Sequence, residues 1–438
     1  MPLSTLYLCY FGLREPLVQT QVLPYLRQLA AAGTGVRLLT FEPELKKSWT
    51  REQLDEERAR LAAEGIRWHS LAYHKRPSVP ATAFDILAGA TFAARLARRE
   101  GVQVLHARSH VPMAMALLAR KLVHCRIVFD VRGLLAEEYE DAGIWRAGSL
   151  PFRAIKRLER AGLRRADGVV VLTRRMREWL SEQGLAEAEK VEVIPCCVDF
   201  SRYEMAGNES RHEGAGDEAG DEGAGVAEKS RRHAAEKSER FEVVYAGSVV
   251  GLYLLEEMAR FFLAVRALRP AAFFRVLTTS PAEETAERLR RAGLSEEDFA
   301  VERARADEVP RLLARARLGV SFRKATFSQI AASPTKIPEY LAAGLPVVSN
   351  RGIGDTDELV ERARVGVLVG DFGEASLARA AEEAVRLAED PSVAARCVET
   401  AREFFDLESV GGRRYLNVYR RLEEAPAEAL ARADDARL

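Results

Sequence analysis

The residues with the clearest chemical potential lie in one short stretch that begins at Ser333. Ser333 precedes Pro334, which is typical of an N-cap followed by proline at the first helical position, and Gly344 ends the predicted helix before a buried strand. A helix start presents unpaired N–H groups and a partial positive charge, which favour phosphate. Lys336 adds a full charge there, and Glu339 can accept hydrogen bonds from sugar hydroxyls. The stretch therefore indicates a nucleotide-sugar site, with an ordinary capped helix and a solvated lysine as the alternative.

A second group of candidate residues follows predicted strands of the same half. Gly247 and Ser248 follow one strand, and a glycine there lets backbone N–H groups approach a diphosphate closely. The residues that come directly after this turn include no cation. The positive charge for a diphosphate must then come from Arg323, Lys324 and Lys336, and we expect at least one of the first two to reach phosphate.

Polar residues also end three predicted strands in the first half of the chain. Charged groups at the ends of buried strands are costly unless a cleft uses them. Two sheets that face each other form a cleft with two rims, which suits an enzyme that joins a sugar donor to an acceptor. We therefore expect the acceptor site in the first half, with Asp130 and Arg132 as catalytic candidates. A structural ion pair of Asp130 with Arg132 or Arg108 is the alternative. The acceptor-binding candidates are Gly12, Arg14, Arg108 and His110.

The elements that must position these residues form an α/β pattern. Short apolar runs alternate with helical patterns along the whole chain, which favours parallel sheets, and 438 residues are too many for one ordinary core. We predict two Rossmann-like doubly wound domains that face each other across a cleft. The predicted strands are Leu6–Phe11, Val36–Phe41, Ile66–Leu71, Val102–Ala107, Ile127–Val131, Gly168–Leu172 and Val191–Pro195, then Glu242–Ala246, Phe274–Thr278, Phe299–Glu302, Leu318–Phe322, Pro346–Ser349 and Val365–Val369.

Composition sets the domain boundaries. Residues 204–240 are rich in glycine and acidic residues and nearly free of apolar ones, so we predict a disordered linker or insertion. This places an N-terminal acceptor-binding domain at residues 1–203 and a C-terminal nucleotide-sugar-binding domain at 241–405. Residues 406–438 would form a last helix and a frayed tail.

Charge and cysteine usage exclude several classes of protein. The 65 basic and 65 acidic residues give no net charge, so no global field attracts nucleic acid. The five cysteines lack zinc-type spacing and fit a reducing cytosol. The N-terminus has no basic start typical of a signal peptide, and no apolar run approaches the roughly 20 residues of a membrane span. We expect a cytoplasmic protein, with a peripheral contact at the inner face of the cell membrane left open.

The run from Glu339 to Val348, EYLAAGLPVV, resembles the donor-site signature of the retaining, GT-B-type glycosyltransferases of family 4, also called group 1. In that family a glutamate stands five residues before the glycine of a Gly-x-Pro-Val-Val ending, as Glu339 does before Gly344. The preceding Ser-Pro-Thr-Lys is similar to that of one subgroup, and the resemblance covers most of the chain. It implies hexosyl transfer from a nucleotide-diphosphate sugar to an acceptor hydroxyl with retention, without cofactor or required metal, in cell-envelope glycan or glycolipid synthesis.

The resemblance also implies roles for individual residues. Lys336, with Arg323 or Lys324, would stabilise the departing diphosphate, and Glu339 would orient the ribose. The remaining donor-binding candidates are Gly247, Ser248, Ser333 and Thr335. The resemblance also implies that the last predicted helix, within residues 406–438, crosses back to pack on the N-terminal domain, and an ordinary terminal helix of the second domain is the alternative. Two positions depart from the family: Ala331 stands where relatives often carry a sugar-binding glutamate, and Phe129 where they often carry a histidine.

The acceptor remains open at this level. Lipid-linked acceptors are common in the family, and the basic amphipathic stretch 146–165 either lies on an anionic bilayer or packs on the core with a solvated basic face. Two other functions also remain open: a non-catalytic nucleotide-sugar-binding protein, and an epimerase or phosphorylase on the same fold.

Overall fold

The computed structural model describes residues 3–204 and 240–424 and divides the chain into two compact units. The first unit is built from three stretches and the second from two: Met1–Cys196, Ile330–Ala332 and Leu407–Leu438, then Cys197–Gln329 and Ser333–Asp406. Apart from Glu204 and Arg240, the segment predicted to be disordered lies outside the described residues, as does the tail predicted to fray.

The first unit contains a seven-stranded parallel sheet in the order β3-β2-β1-β4-β5-β6-β7. Its strands are β1 (Ser4–Cys9), β2 (Gly35–Pro43), β3 (Ile66–Tyr73), β4 (Val104–Arg108), β5 (Arg126–Asp130), β6 (Gly168–Val171) and β7 (Val191–Val193). Its helices up to residue 182 are α1 (Pro16–Gln21), α2 (Leu23–Ala31), α3 (Leu45–Ser48), α4 (Arg51–Ala63), α5 (Ser78–Glu100), α6 (His110–Arg120), α7 (Leu135–Asp141), α8 (Leu150–Arg165) and α9 (Arg174–Glu182).

The second unit contains a six-stranded parallel sheet in the order β10-β9-β8-β11-β12-β13. Its strands are β8 (Glu242–Ala246), β9 (Phe273–Leu277), β10 (Phe299–Glu302), β11 (Leu318–Ser321), β12 (Val347–Asn350) and β13 (Gly366–Val369). Its helices are α10 (Leu255–Leu268), α11 (Ala282–Arg291), α12 (Val309–Leu313), α13 (Lys336–Ala342), α14 (Thr356–Ala363), α15 (Glu374–Ala388) and α16 (Val393–Phe405).

The strands of both sheets are largely apolar, and the polar residues that some of them contain are buried as well, such as His106 in β4 and Glu242 in β8. All five residues of β4 and of β8 are buried, as parallel strands covered by helices on both faces require. The predicted fold class of two doubly wound α/β domains is confirmed, and every predicted strand is present within a few residues of its predicted bounds.

The first stretch of the first unit ends at Cys196, before the predicted domain boundary at residue 203. The Val198 N–H donates to the Phe405 carbonyl at 2.8 Å, and Phe200 packs in a core cluster of the second unit. The residues after Cys196 therefore extend the second unit.

The last helix, α17 (Arg413–Glu424), belongs to the first unit. It follows a π-helical turn over Leu407–Gly412. The Tyr415 hydroxyl donates to Asp130 Oδ2 at 2.9 Å, and the Tyr419 hydroxyl lies 2.9 Å from His106 Nδ1. Tyr415 therefore fastens α17 to the end of β5, and Tyr419, one turn further along, fastens it to the middle of β4.

None of the helices in the described ranges is long and apolar enough to cross a bilayer.

Candidate functional site

The helix that carries the proposed phosphate site starts later than predicted. Helix α13 begins at Lys336, and its N-cap is Thr335, which forms no side-chain capping bond. Ser333 is therefore not the N-cap, and Pro334 stands before the helix, where its carbonyl accepts the Ile337 N–H at 3.1 Å. The predicted proline-first helix start is thus wrong.

The predicted end of this helix is correct. Gly344 has φ +74°, and its N–H donates to the Leu341 carbonyl at 2.9 Å. The Leu345 N–H donates to the Tyr340 carbonyl at 2.9 Å, which completes a Schellman motif. The turn leads into the amino end of β12, so the opposite end of α13, which carries Lys336, lies towards the carboxyl ends of the strands, beside Gly247 after β8.

Lys336 lies in a buried aromatic setting at the start of α13. Only 2% of this residue is exposed, and its Nζ lies 4.1 Å from the ring centroid of Tyr253 and 5.1 Å from that of Tyr245. A Cβ on Gly247 would lie 3.2 Å from Lys336 Cε, so the turn after β8 closes over the lysine. The glycine, with φ +136°, thus allows the backbone to approach the ammonium group closely.

Arg323 reaches the same tyrosine from the end of β11. Its Nη1 donates to the Tyr253 hydroxyl at 3.1 Å, and its Cζ lies 4.7 Å from the ring centroid. The side chain is held in place because its Nε donates to Gln329 Oε1 at 2.7 Å and its backbone N–H donates to Asn350 Oδ1 at 2.8 Å. The structure therefore brings Gly247, Arg323 and Lys336 together around one aromatic ring.

This pair of cations lacks a counter-ion within the described residues. No carboxylate oxygen in residues 3–204 or 240–424 lies within ion-pair distance of Lys336 or Arg323. Burial lowers the pKa of Lys336; Tyr253 opposes this, and the charge of Arg323 adds to it. Two adjacent cations in a half-buried setting repel each other, and an arriving diphosphate would relieve that repulsion.

Glu339 lies one turn further along α13. Its side chain is 17% exposed, and Arg202 Nη1 lies 4.0 Å from its Oε1. Burial raises the pKa of Glu339, and the charges of Arg202 and Lys336 offset this only in part. The carboxylate is therefore accessible at one edge and available to accept hydrogen bonds from hydroxyl groups.

The other donor-site candidates also lie in the second unit. Ser248 is half-buried and its carbonyl accepts a hydrogen bond from the Tyr245 hydroxyl, while Ser333 and Thr335 are half-buried before α13. Lys324 is exposed, and its backbone N–H donates to the Leu252 carbonyl at 2.9 Å. Their roles in binding a donor stay predictions.

Asp130 lies in a fully buried polar network of the first unit. Arg108 Nη1 lies 3.5 Å and Arg132 Nη1 3.4 Å from its carboxylate, and the hydroxyls of Tyr7 and Tyr415 donate to it at 3.2 and 2.9 Å. Burial works to raise the pKa of Asp130, but the charges of Arg132 and Arg108 outweigh it and hold the pKa below its usual value. These contacts favour the structural alternative, because they anchor α17. The catalytic role of Asp130 and Arg132 stays a prediction.

His110 is also withdrawn from solvent. It is fully buried, and its Nε2 lies 3.2 Å from Glu159 Oε2. Lys156 lies 2.5 Å from the other oxygen of Glu159. The histidine thus joins α6 to α8, and the basic stretch 146–165 packs on the core through part of its polar residues.

Gly12 and Arg14 occupy the loop after β1 but serve local contacts. A Cβ on Gly12 would lie 2.9 Å from Pro43 Cδ, so the loop passes close to the end of β2. The Arg14 guanidinium lies 3.7 Å above the Trp49 ring and donates to the Ser48 carbonyl at 3.0 Å. An acceptor role for either residue stays a prediction.

Sequence reasoning missed Tyr253 and the pair His74–Asp85. Tyr253 follows the glycine turn after β8. No spacing rule predicts that this tyrosine contacts both Arg323 and Lys336, which lie 70 or more positions further along the chain. His74 follows β3 and contacts Asp85 on α5 at 2.6 Å. Because His74 is a polar residue directly after a strand, the sequence could have indicated it as a candidate. Its contact with Asp85 on α5 can be recognised only from the structure.

Two family models match the chain in succession. One described as "Glycosyl transferase 4-like domain" matches residues 18–197, and one described as "Glycosyl transferases group 1" matches residues 240–387. No protein of curated function matches the sequence.

Solved structures with the same fold include a glycosyltransferase and a sucrose-phosphate synthase. A glycosyltransferase from Rickettsia africae ESF-5 is 15% identical with a TM-score of 0.66, over 97% of this chain and 100% of that one. Sucrose-phosphate synthase from Thermosynechococcus elongatus is 17% identical with a TM-score of 0.65, over 97% and 100%. Anabaena Alr3699/HepE, solved in complex with UDP and glucose, is 15% identical with a TM-score of 0.61, over 96% and 99%. At such identities the likeness shows the fold alone.

Proposed function

Because glycosyltransferase family models match residues 18–197 and 240–387 and the chain has the GT-B fold, we propose that it transfers a sugar from a nucleotide-diphosphate donor to an acceptor hydroxyl with retention. One observation carries the donor site: Lys336 and Arg323 share the Tyr253 ring without a carboxylate counter-ion in the described part of the chain. Such a cation pair suits a diphosphate, whose two charged groups need two donors.

The proposed chemistry is electrostatic. The bond between the anomeric carbon and the diphosphate oxygen breaks, and negative charge grows on the departing group. Lys336 and Arg323 stabilise that charge from fixed positions, and fixed charges are effective because they need no reorganisation during the reaction. With two protein cations in place, we propose that no metal ion is required.

The donor is proposed to carry a uridine diphosphate. This proposal draws on the fold neighbour from Anabaena, which was solved with UDP and with UDP-glucose. Glu339 is proposed to accept hydrogen bonds from the ribose hydroxyls, since it is accessible and lies one turn from Lys336. The family resemblance supports the sugar class, a hexose, and the stereochemical outcome.

We further propose a lipid-linked or glycan acceptor, met at an anionic membrane surface. Ile144 is 63% exposed, and Leu150, the first residue of α8, is 81% exposed. The same helix exposes Arg153, Arg157 and Arg160. Exposed apolar residues beside arginines suit an anionic bilayer. The test is co-sedimentation with phosphatidylglycerol and with phosphatidylcholine vesicles, comparing the parent with Ile144→Ser/Leu150→Ser; equal binding of both proteins would refute the contact.

The donor proposal is tested by a thermal-shift screen against UDP-, GDP- and ADP-sugars, followed by detection of the transferred sugar. A rise in melting temperature with one nucleotide class, together with a glycosylated product, supports the proposal. Binding without product from a broad acceptor panel would favour a non-catalytic nucleotide-sugar-binding protein. Turnover that proceeds equally in excess EDTA supports the metal-free step, and loss of turnover would refute it.

A further inference from the structure

Arg202 is the charged partner of Glu339 within the second unit. Its Nη1 lies 4.0 Å from Glu339 Oε1, and no other cationic side chain of the described ranges lies as close to that carboxylate. The second terminal nitrogen of the guanidinium, Nη2, donates to the Ala306 carbonyl in the loop that follows β10. The guanidinium is therefore held from two sides, by α13 and by that loop.

The segment that carries Arg202 is anchored beside α13 by apolar packing. Phe200 lies in the same buried core cluster as Ile337 and Tyr340, two residues of α13. Tyr203, the next residue after Arg202, packs against this cluster. Because packing has already fixed the backbone here, little conformational entropy is lost when the arginine side chain points at Glu339.

The Glu339 carboxylate lacks a hydrogen-bond donor among the described residues. At 4.0 Å the contact with Arg202 is an ion pair and not a hydrogen bond, and no other described group donates to the carboxylate. The Glu339 side chain is 17% exposed, so its oxygens can be reached from outside. A largely buried carboxylate without donors is costly, and the hydroxyl groups of a ribose would supply them.

The charge of Arg202 offsets the cost of burying Glu339. Burial raises the pKa of Glu339, and the charge of Arg202 lowers it more than that of Lys336 does. Burial and the nearby Glu339 carboxylate raise the pKa values of the Tyr203 and Tyr340 phenols, which are therefore neutral. Arg202 is thus the main group that favours the charged carboxylate, the form that accepts hydrogen bonds most strongly.

We propose that Arg202 is a positioning residue of the donor site, which holds the Glu339 carboxylate charged and ready to accept the ribose hydroxyls. This inference rests on the proposed function, in which Glu339 binds the ribose. Arg202 acts through Glu339 alone. Its loss should therefore weaken binding of the ribose and leave binding of the diphosphate unchanged.

The test compares two ligands that differ only in the ribose. The full chain is titrated by calorimetry with UDP and with dideoxyuridine diphosphate, which lacks both ribose hydroxyls. The Kd for the dideoxy ligand divided by the Kd for UDP is the ribose preference. Contributions of the phosphates and of Lys336 cancel in this ratio, because both ligands carry the same diphosphate. If the thermal-shift screen selects another nucleoside diphosphate, that ligand and its dideoxy form replace these two.

The variants separate the charge of Arg202 from its bulk. Arg202→Gln and Arg202→Met remove the charge, and the second keeps the apolar stem, so whichever of the two folds can decide. Arg202→Lys keeps the charge. Arg402→Gln is the matched control, because Arg402 also anchors this segment: its guanidinium lies 4.3 Å above the Phe200 ring and 3.0 Å from Glu204 Oε1.

Hydrogen bonds to a charged group typically change affinity by roughly tenfold to hundredfold, so the parent should show a ribose preference of that size. The neutral Arg202 variants should lose most of it at neutral pH, with an unchanged Kd for the dideoxy ligand. Arg202→Lys should keep most of the preference, and Arg402→Gln should keep all of it. A merely structural role of Arg202 would instead raise both Kd values together.

The pH profile gives a second readout that packing would not move. In the parent, the ribose preference should fall as the pH drops through the pKa of Glu339, because a protonated carboxyl group accepts hydrogen bonds weakly. Without the charge of Arg202 this pKa rises further, so the midpoint should move to higher pH by roughly 1–3 pH units. Glu339→Gln should show no such midpoint.

The outcomes separate this inference from the proposed function. A parent that binds no nucleoside diphosphate or nucleotide sugar refutes the proposed function and the inference with it. A parent that binds both ligands equally well overturns the role of Arg202 and leaves the transfer reaction standing. A folded neutral variant that keeps the ribose preference and the midpoint of the parent does the same.

Discussion

Replacing Lys336 with methionine should weaken nucleotide binding without weakening the fold. Methionine keeps much of the length of the lysine chain and removes its charge. In the absence of nucleotide, Lys336 is 2% exposed, and burial beside Arg323 disfavours its charged form and lowers its pKa. Loss of that charge removes a desolvation cost, so the free energy of unfolding of the Lys336→Met protein should equal or exceed that of the parent.

The loss in affinity follows from the contact that the lysine is proposed to make. A charge-assisted hydrogen bond to phosphate contributes roughly 1.5–3 kcal/mol, which corresponds to roughly a tenfold to hundredfold rise in the Kd for UDP. Calorimetric titration with UDP measures the Kd, and a urea melt measures the free energy of unfolding. Lys121→Met, which removes an exposed lysine of the first unit, is the control and should change neither quantity.

The pH dependence gives an independent check. Because the pKa of Lys336 lies below its usual value in the folded protein, the unfolded chain binds more protons at pH values between the two. Stability should therefore rise with pH through that window in the parent but not in Lys336→Met. The parent's affinity for UDP should fall over the same window, as the lysine loses its charge. An unchanged Kd in Lys336→Met, together with reduced stability, would refute the assignment of Lys336 to the phosphate site.

Three further substitutions test buried contacts of the two sheets, two in the first unit and one in the second. Tyr415→Phe should lower the free energy of unfolding by roughly 1.5–3 kcal/mol in a urea melt, because it removes a buried hydrogen bond to the charged Asp130; a loss below the error of the melt would contradict this. Burial lowers the pKa of His106 to about 4, so this histidine should make the free energy of unfolding fall as the pH drops from about 6.5 towards 4. Urea melts at several pH values measure this fall, which should be smaller in His106→Gln than in the parent. Gly319→Ala should destabilise by roughly 1–3 kcal/mol or prevent folding, because its Cβ would lie 2.3 Å from Tyr340 Cδ2; a melting temperature equal to that of the parent would show that the ring moves freely.

The positions of the strands could be predicted from the sequence, because a buried parallel strand is marked by neighbouring apolar residues. Runs such as that of β8 are apolar after their first residue, Glu242, and are followed by turn residues, so the number of strands and their order along the chain follow from pattern alone. The helix end at Gly344 was predictable for the same reason, since a Schellman motif needs a residue that tolerates positive φ. The helix start was not, because the residues before α13 form a turn that no local capping pattern distinguishes from the first helical turn.

The candidate sites show the limit of local reasoning. Arg323 could be named from its position after a strand and Lys336 from its position at a helix start. The ring that they share comes from Tyr253, far away in sequence. Charges at strand ends were interpreted as signs of a binding site, yet Asp130 is bonded to Tyr415 of the last helix, a contact that no spacing reveals. Asp85 was equally hidden, since a carboxylate on a helix is ordinarily solvated and only the fold buries it.

The attachment of α17 to the first unit constrains how the protein can be made. The ribosome completes the strands of that unit long before it delivers Tyr415 and Tyr419, and it synthesises the whole second unit in the interval. Until then the first unit has Asp130 and His106 without two of their partners. An emerging chain therefore carries an unfinished polar network until α17 docks on it, and a first unit produced without Leu407–Glu424 should depend on chaperones or precipitate.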